Sequence, residues 1–189
     1  MKSSARVVVI GGGVVGASVL YHLTKAGWTD VVLVERKELT AGSTWHAAGG
    51  MHTLNGDPNV ARLQQYTVNL YKEIEKESGQ NCGIHLPGGI QLADTPERLD
   101  WLKMAHARGR YLGMKMEIIS VKEAKILNPL LEEKYFVGAL YDEDEGSVDP
   151  YGVTHAYAIC ARNRGAEVYT NTWVTGLNHR PDGTWDVIT

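Results

Sequence analysis

Cysteine is nearly absent from this sequence, with only Cys82 and Cys160 among 189 residues. They lie too far apart for a CxxC unit, so neither a zinc site nor a disulfide framework is expected. Both read as small core or surface residues. A basic field is missing too. The formal net charge is −3, the isoelectric point is near 6.2, and no Lys/Arg cluster occurs along the chain, so nothing attracts a phosphate backbone. Nucleic acid and membrane are therefore not expected as partners, and no metal site is expected. The apolar run from Val7 to Leu20, preceded by Lys2 and Arg6, imitates a signal peptide. Three consecutive glycines and the lack of a small-residue cleavage site argue against one. The first strand begins within a few residues of Met1, which leaves no room for a transit peptide, and a cytoplasmic, reducing environment is expected.

What is present is an ordinary globular balance, 43% hydrophobic and 22% charged residues, able to bury a core. Arg6–Ile10 is a short β-branched run. Val14–Ala26 has helical spacing, with Val15, Val19 and Leu23 on one face, and Asp30–Val34 is a second apolar run. Together they predict one βαβ unit, with Gly27 ending the helix. From Glu35 to Gly56 small residues dominate without a period, predicting an extended loop or short helical turn near a ligand. A long helix follows, capped by Asp57 and carrying Val60, Leu63, Tyr66, Leu70 and Ile74 on one side up to Gly79.

The middle of the chain reads as α+β. Ile84–Ala93 suggests two extended pieces bent at Pro87–Gly89. Thr95 and Pro96 open a helix through Leu112, and Ser120 with Glu123 forms a capping box for a short helix ended by Asn128 and Pro129. Tyr135–Tyr141 reads as a strand. Asp149 and Pro150 start a helix through Arg164, Val168–Leu177 is extended, and a turn at Pro181–Gly183 precedes a last strand, Trp185–Thr189. The acidic run Asp142–Glu145 lacks EF-hand spacing and is expected to be a solvated loop.

Gly11, Gly12, Gly13, Val14, Val15 and Gly16 satisfy GxGxxG between a predicted strand and a predicted helix. In that setting Gly11 permits the tight turn, Gly13 lets the backbone approach a pyrophosphate, and Gly16 lets the helix pack closely. The helix N–H groups, including those of Val14 and Val15, then face the phosphates. Glu35, 24 residues after Gly11, ends the second strand, where a carboxylate can bind a ribose diol, with Arg36 beside it. This geometry does not separate FAD from NAD.

The segment that follows does. Ala41–Gly50 reads AGSTWHAAGG, and it resembles the dimethylglycine dehydrogenase and sarcosine dehydrogenase family, FAD enzymes that oxidise amines. The resemblance runs over essentially the whole chain. It implies that Gly42, Ser43, Thr44, Trp45, His46, Ala47, Ala48, Gly49 and Gly50 line the flavin, that His46 is joined through a ring nitrogen to the 8α-methyl of FAD, and that the backbone of Val174 meets the adenine. Imidazole suits that task, being nucleophilic near neutral pH when one nitrogen is unprotonated. One departure is Gly50, followed by Met51, where relatives usually carry a bulky apolar residue.

The resemblance further implies a Rossmann-type α/β FAD-binding domain over residues 1–83 and 141–189, with an interleaved α+β substrate-domain segment over 84–140. The expected reaction is oxidative demethylation of an N-methylated glycine, with hydride passing to flavin N5. Electron-transfer flavoprotein or oxygen would accept the electrons. Many members add a tetrahydrofolate-binding domain farther along. Two alternatives stand: a noncatalytic relative resembling the regulatory subunit of pyruvate dehydrogenase phosphatase, and an NAD-dependent dehydrogenase. No catalytic acid or base is legible.

Overall fold

The computed structural model describes residues 1–189. In chain order it contains β1 (Val7–Ile10), α1 (Val14–Lys25), β2 (Val31–Val34), a 3-10 turn (Thr44–His46), β3 (Gly50–Met51) and α2 (Pro58–Ser78). Next come β4 (Gly89–Ala93), α3 (Pro96–Tyr111), β5 (Met116–Ile119), α4 (Val121–Leu127), a second 3-10 turn (Glu133–Tyr135) and β6 (Gly138–Asp142). The last are β7 (Gly146–Ser147), α5 (Pro150–Asn163), β8 (Glu167–Tyr169), β9 (Gly176–His179) and β10 (Trp185–Ile188). No helix is long and apolar enough to cross a membrane.

The chain forms two compact units. The first comprises Met1–Gly49, Tyr71–Gly83 and Val148–Thr189. Its sheet is parallel, in the order β1-β2-β8, and every residue of the central strand β2 is buried. A strand covered on both faces is apolar throughout, which is why Val31–Val34 shows no alternation. Leu20, Val31, Leu33, Leu39, Ala158, Ala161 and Ala166 form its core, with Leu23 packed against them. Alanines on α5 let α1 approach closely, and the Tyr21 and Tyr157 rings meet with centroids 5.3 Å apart. Asp149 caps α5 by accepting the N–H groups of Tyr151 and Gly152 at 3.0 and 3.1 Å, with Pro150 in the first turn. β9 and β10 make an antiparallel ribbon.

The second unit comprises Gly50–Leu70 and Ile84–Ser147. Its antiparallel sheet runs β4-β6-β5, with a core of Ala61, Ala93, Leu102, Met114, Met116 and Leu140. Each fully buried leucine there contributes about 1.5–3 kcal/mol. The Ser120–Glu123 capping box forms with both arms in place. This unit takes in more chain than the 84–140 segment, because β3 pairs with β7 and β6 extends to Asp142.

Three expectations need correction. On α1, Leu23 packs against the core as expected, but Val15 and Val19 are 74% and 45% exposed, and the buried residues are Ala17, Leu20, Tyr21 and Thr24. On α2, Leu70 and Ile74 are buried as expected, joined by Ala61 and Val68, while Val60, Leu63 and Tyr66 in its first half are exposed. The acidic run is not a solvated loop. Asp142 ends β6 at 2% exposure and Glu145 is 7% exposed, because the β6–β7 connection folds inward around polar partners from residues 52–53. β5 and β7 answer no sequence expectation, being four and two residues long.

Candidate functional site

The first site is built where β1 ends. Gly11 leaves the strand at φ +109°, a conformation open to glycine, and no heavy atom lies within 4 Å of where its Cβ would stand. Its N–H donates to the Val34 carbonyl at 2.9 Å, tying the turn to β2. Gly16 sits so close to that turn that a Cβ would overlap the Gly11 carbonyl oxygen. The helix therefore starts directly behind the turn. Gly13 is the N-cap of α1, with no side-chain cap of its own and no acid in the first turn, so the positive end of the helix is uncompensated from its own sequence. One of its N–H groups, that of Val14, donates to the Thr44 hydroxyl at 3.0 Å.

Glu35 follows β2 directly. Its Oε2 accepts the Gly12 N–H at 2.7 Å and its Oε1 accepts the Lys37 N–H at 2.9 Å. Its own N–H donates to the Tyr169 carbonyl, and its carbonyl accepts the Thr172 N–H at 2.8 Å. Backbone and side chain are thus both held, with a lone pair on each carboxylate oxygen left for a further donor.

These parts converge. A cavity of about 490 Å³ is lined by Gly11, Gly13, Val14, Val15, Gly16, Glu35, Arg36, Gly42, Ser43 and Thr44. Val19 also lines it, which accounts for the exposure of Val15 and Val19: they face this cavity and not the core. Val19, Lys37 and Ala41 are lining residues that the motif reading missed.

The rest of the expected flavin segment does not line that cavity. Trp45 lines a neighbouring hollow of about 400 Å³ with Leu39, Thr40, Asp149, Pro150 and Tyr151. His46 closes the 3-10 turn, exposed, with its Nδ1 3.0 Å from the Gly42 carbonyl and its ring centroid 4.9 Å from that of Trp45. Ala47 and Ala48 are exposed. The Gly49 carbonyl accepts the Val148 N–H at 2.9 Å, and Gly50 begins β3 opposite Ser147. Val174 stands half-buried in the connection between β8 and β9.

A second polar group lies in the other unit. Thr53 Oγ1 donates to Asp142 Oδ2 at 2.5 Å, and Asp142 Oδ1 accepts the Asp144 N–H at 3.0 Å. His52 Nδ1 lies 3.3 Å from Glu145 Oε1. Burial pushes both acids above the ordinary carboxylate range, with the His52 charge opposing the shift of Glu145. No linear motif announced this group, since 89 residues separate Thr53 from Asp142.

The family model for FAD dependent oxidoreductases matches residues 6–189. Mitochondrial dimethylglycine dehydrogenase of Rattus norvegicus is 45% identical over 188 residues, covering 100% of this chain and 22% of that protein. Mitochondrial sarcosine dehydrogenase of Homo sapiens is 39% identical over 94% of this chain and 19% of its own length. The mitochondrial pyruvate dehydrogenase phosphatase regulatory subunit of Mus musculus is 38% identical over 92% of this chain and 20% of its own length. The chain therefore spans about a fifth of the curated relatives it matches. Among solved structures, the L-proline dehydrogenase from P. horikoshii superposes with a TM-score of 0.88 at 27% identity, covering 96% of this chain and 48% of that one. With the glycine turn, the braced acid and a family match over residues 6–189 in agreement, the chain belongs to the FAD-dependent oxidoreductase family.

Proposed function

We propose that this chain provides the nucleotide cradle and the flavin tether of an enzyme that oxidises N-methylated glycines or similar secondary and tertiary amines. The observation that carries the reading is the meeting of the glycine turn, Glu35 and Gly42–Thr44 around one cavity, two residues before His46. The cavity has the size of a small-molecule site. Open space beside Gly11 and the uncompensated end of α1 suit a pyrophosphate. Gly11, Gly13, Val14, Val15 and Gly16 would hold it, Glu35 and Arg36 the adenosine side, Gly42–Gly50 the flavin, and the Val174 backbone the adenine. When bound, the flavin supplies a two-electron acceptor for an amine C–H bond.

His46 is suited to a covalent tether. A carbonyl oxygen only accepts, so His46 Nδ1 donates to Gly42, and the neutral ring keeps its free lone pair on Nε2. That nitrogen is the nucleophile proposed to carry the flavin. The small residues Ala47, Ala48 and Gly49 leave the backbone free to lie against a planar ring. The acceptor of the electrons, electron-transfer flavoprotein or oxygen, and a tetrahydrofolate-binding domain belong to the whole protein.

Acid denaturation of the flavin-loaded protein tests the tether: yellow colour and fluorescence stay with the polypeptide. Flavin that washes away refutes the covalent link, and a protein that never binds flavin refutes the enzyme reading in favour of the regulatory relative. His46→Ala should still bind FAD, reversibly, and covalent flavin retained in that variant moves the attachment elsewhere.

A further inference from the structure

We infer that Thr44 is the residue that sets His46 for attachment to the flavin, through the hydrogen bond its hydroxyl accepts from the Val14 N–H. The inference rests on the tether reading above, and every residue it uses lies in the first compact unit. Gly13, the N-cap of α1, has no side chain with which to satisfy the first-turn N–H groups. Thr44, which also lines the nucleotide cavity, supplies an acceptor from 30 residues away, at 3.0 Å. Gly13 makes room for it: a Cβ there would stand 2.9 Å from Thr44 Oγ1, closer than ordinary contact. The bare backbone at Gly13 thus serves the hydroxyl as well as the proposed pyrophosphate.

The loop that carries His46 is fastened to the glycine turn at two places. Thr40 is buried at φ +72°, a left-handed conformation that β-branched residues rarely adopt, and its N–H donates to the Gly12 carbonyl at 2.9 Å. Its own carbonyl accepts the Trp45 N–H at 3.3 Å. The second fastening is Thr44 on Val14. From there the 3-10 turn fixes the histidine. The His46 N–H donates to the Ser43 carbonyl at 3.2 Å, the Ala47 N–H to the Thr44 carbonyl at 3.1 Å, and His46 Nδ1 lies 3.0 Å from the Gly42 carbonyl. Backbone and ring of His46 are therefore referred to the start of α1, where the pyrophosphate is proposed to sit. Of the two fastenings only that of Thr44 is made by a side chain, so a substitution releases it alone.

Attachment is sensitive to this placement. His46 Nε2 bonds to the 8α carbon with its lone pair, one C–H bond there breaks, and the electron pair of that bond passes into the flavin ring. Dissolved oxygen accepts the pair and, with the protons released from the carbon and from Nδ1, leaves as hydrogen peroxide. Bond formation between two held groups depends on their separation and angle, and a displacement of about 1 Å costs on the order of 100-fold in rate. A cofactor held by its pyrophosphate and a histidine referred to the same helix start share one frame. Loss of the Thr44 bond frees the turn at the point nearest His46.

Covalent loading of the full-length protein tests this role independently of amine oxidation. Apoprotein is mixed in air with saturating FAD and sampled over time for total bound flavin and for flavin fluorescence that stays with the polypeptide in acid. Thr44→Val should bind as much FAD as wild type and attach it about 10- to 100-fold more slowly. Thr44→Ser, which keeps the hydroxyl, should attach it at the wild-type rate. If the valine variant does not fold, Thr44→Ala set against Thr44→Ser asks the same question with a smaller side chain. Attachment by Thr44→Val at the wild-type rate overturns the inference even where its Tm falls, since Thr44 would then be a helix cap and nothing more. Equal slowing in the valine and serine variants overturns it too, by making the methyl group responsible, as does a folded Thr44→Val that holds no FAD at saturation. Wild-type flavin that washes away in acid refutes the tether reading and this inference with it, and needs no variant to be seen.

Discussion

The Glu35 carboxylate accepts the Gly12 N–H at 2.7 Å, so the acid that ends the second strand also braces the glycine turn. Its other oxygen accepts the Lys37 N–H at 2.9 Å. One side chain thus fixes the rim of the cavity from two directions before any ligand arrives. Glu35→Gln keeps one acceptor oxygen but turns its other terminal group into a donor facing a donor. FAD affinity should fall by a factor of ten or more, since hydrogen bonds to charged groups contribute about 1.5–3 kcal/mol. Titration of apoprotein by flavin fluorescence checks it, and an unchanged dissociation constant would remove Glu35 from the site.

Gly16 has no room for a methyl group, because its Cβ would overlap the Gly11 carbonyl oxygen. Gly42, on the opposite rim, has nothing within 4 Å. Gly16→Ala should therefore destabilise by about 1–3 kcal/mol, lowering Tm by roughly 2–10 °C, while Gly42→Ala leaves Tm within about 1 °C of wild type. Equal melting of the two variants would mean that the turn yields freely.

The pH dependence of stability carries the mark of the inward-folded acids. Burial raises the pKa of Asp142 and of Glu145, so the native chain keeps these protons to higher pH than the unfolded chain. The stability they contribute is complete below the ordinary carboxylate range and is lost as pH rises through the raised values. Asp142→Asn removes the titrating proton and keeps an acceptor for the Asp144 N–H on its amide oxygen, while its NH2 group faces the Thr53 hydroxyl, which can turn to accept. Urea unfolding from about pH 4 to about pH 7 should show a shallower decline in the variant than in wild type. Parallel curves would mean that Asp142 does not titrate abnormally.

Cys82 and Cys160 are both buried and unpaired, with burial pushing each thiol up to about 12. Thiolate is scarce at neutral pH, so iodoacetamide should leave the native protein unmodified and alkylate both residues only after denaturation. Fast labelling of the native protein would show that the first unit opens locally.

The glycine turn, its helix and the acid after β2 were legible in the linear sequence because their roles are local: backbone conformation, helix polarity and strand period are all written within about 30 residues. The caps at Thr95, Ser120 and Asp149 were legible for the same reason, each satisfying N–H groups two or three residues away. The inward faces of α1 and α2 were legible only at Leu23, Leu70 and Ile74. Large apolar side chains at Val15, Val19, Val60 and Leu63 marked plausible stripes, but partners distant in sequence chose Ala17 and Ala61 for the close contacts.

Gly50 and the acids at 142 and 145 show where tertiary structure alone decides. In the linear sequence Gly50 was an unexplained departure and Asp142–Glu145 a charged turn. The β3–β7 pairing closes a long loop, places His52 against Glu145 and Thr53 against Asp142, and gives each a polar partner that makes its burial tolerable. The sequence by itself determined the dinucleotide-binding turn, because a turn and a helix end need only their neighbours. The surroundings of its buried acids were decided by pairing across about 90 residues, a relationship that no local period records.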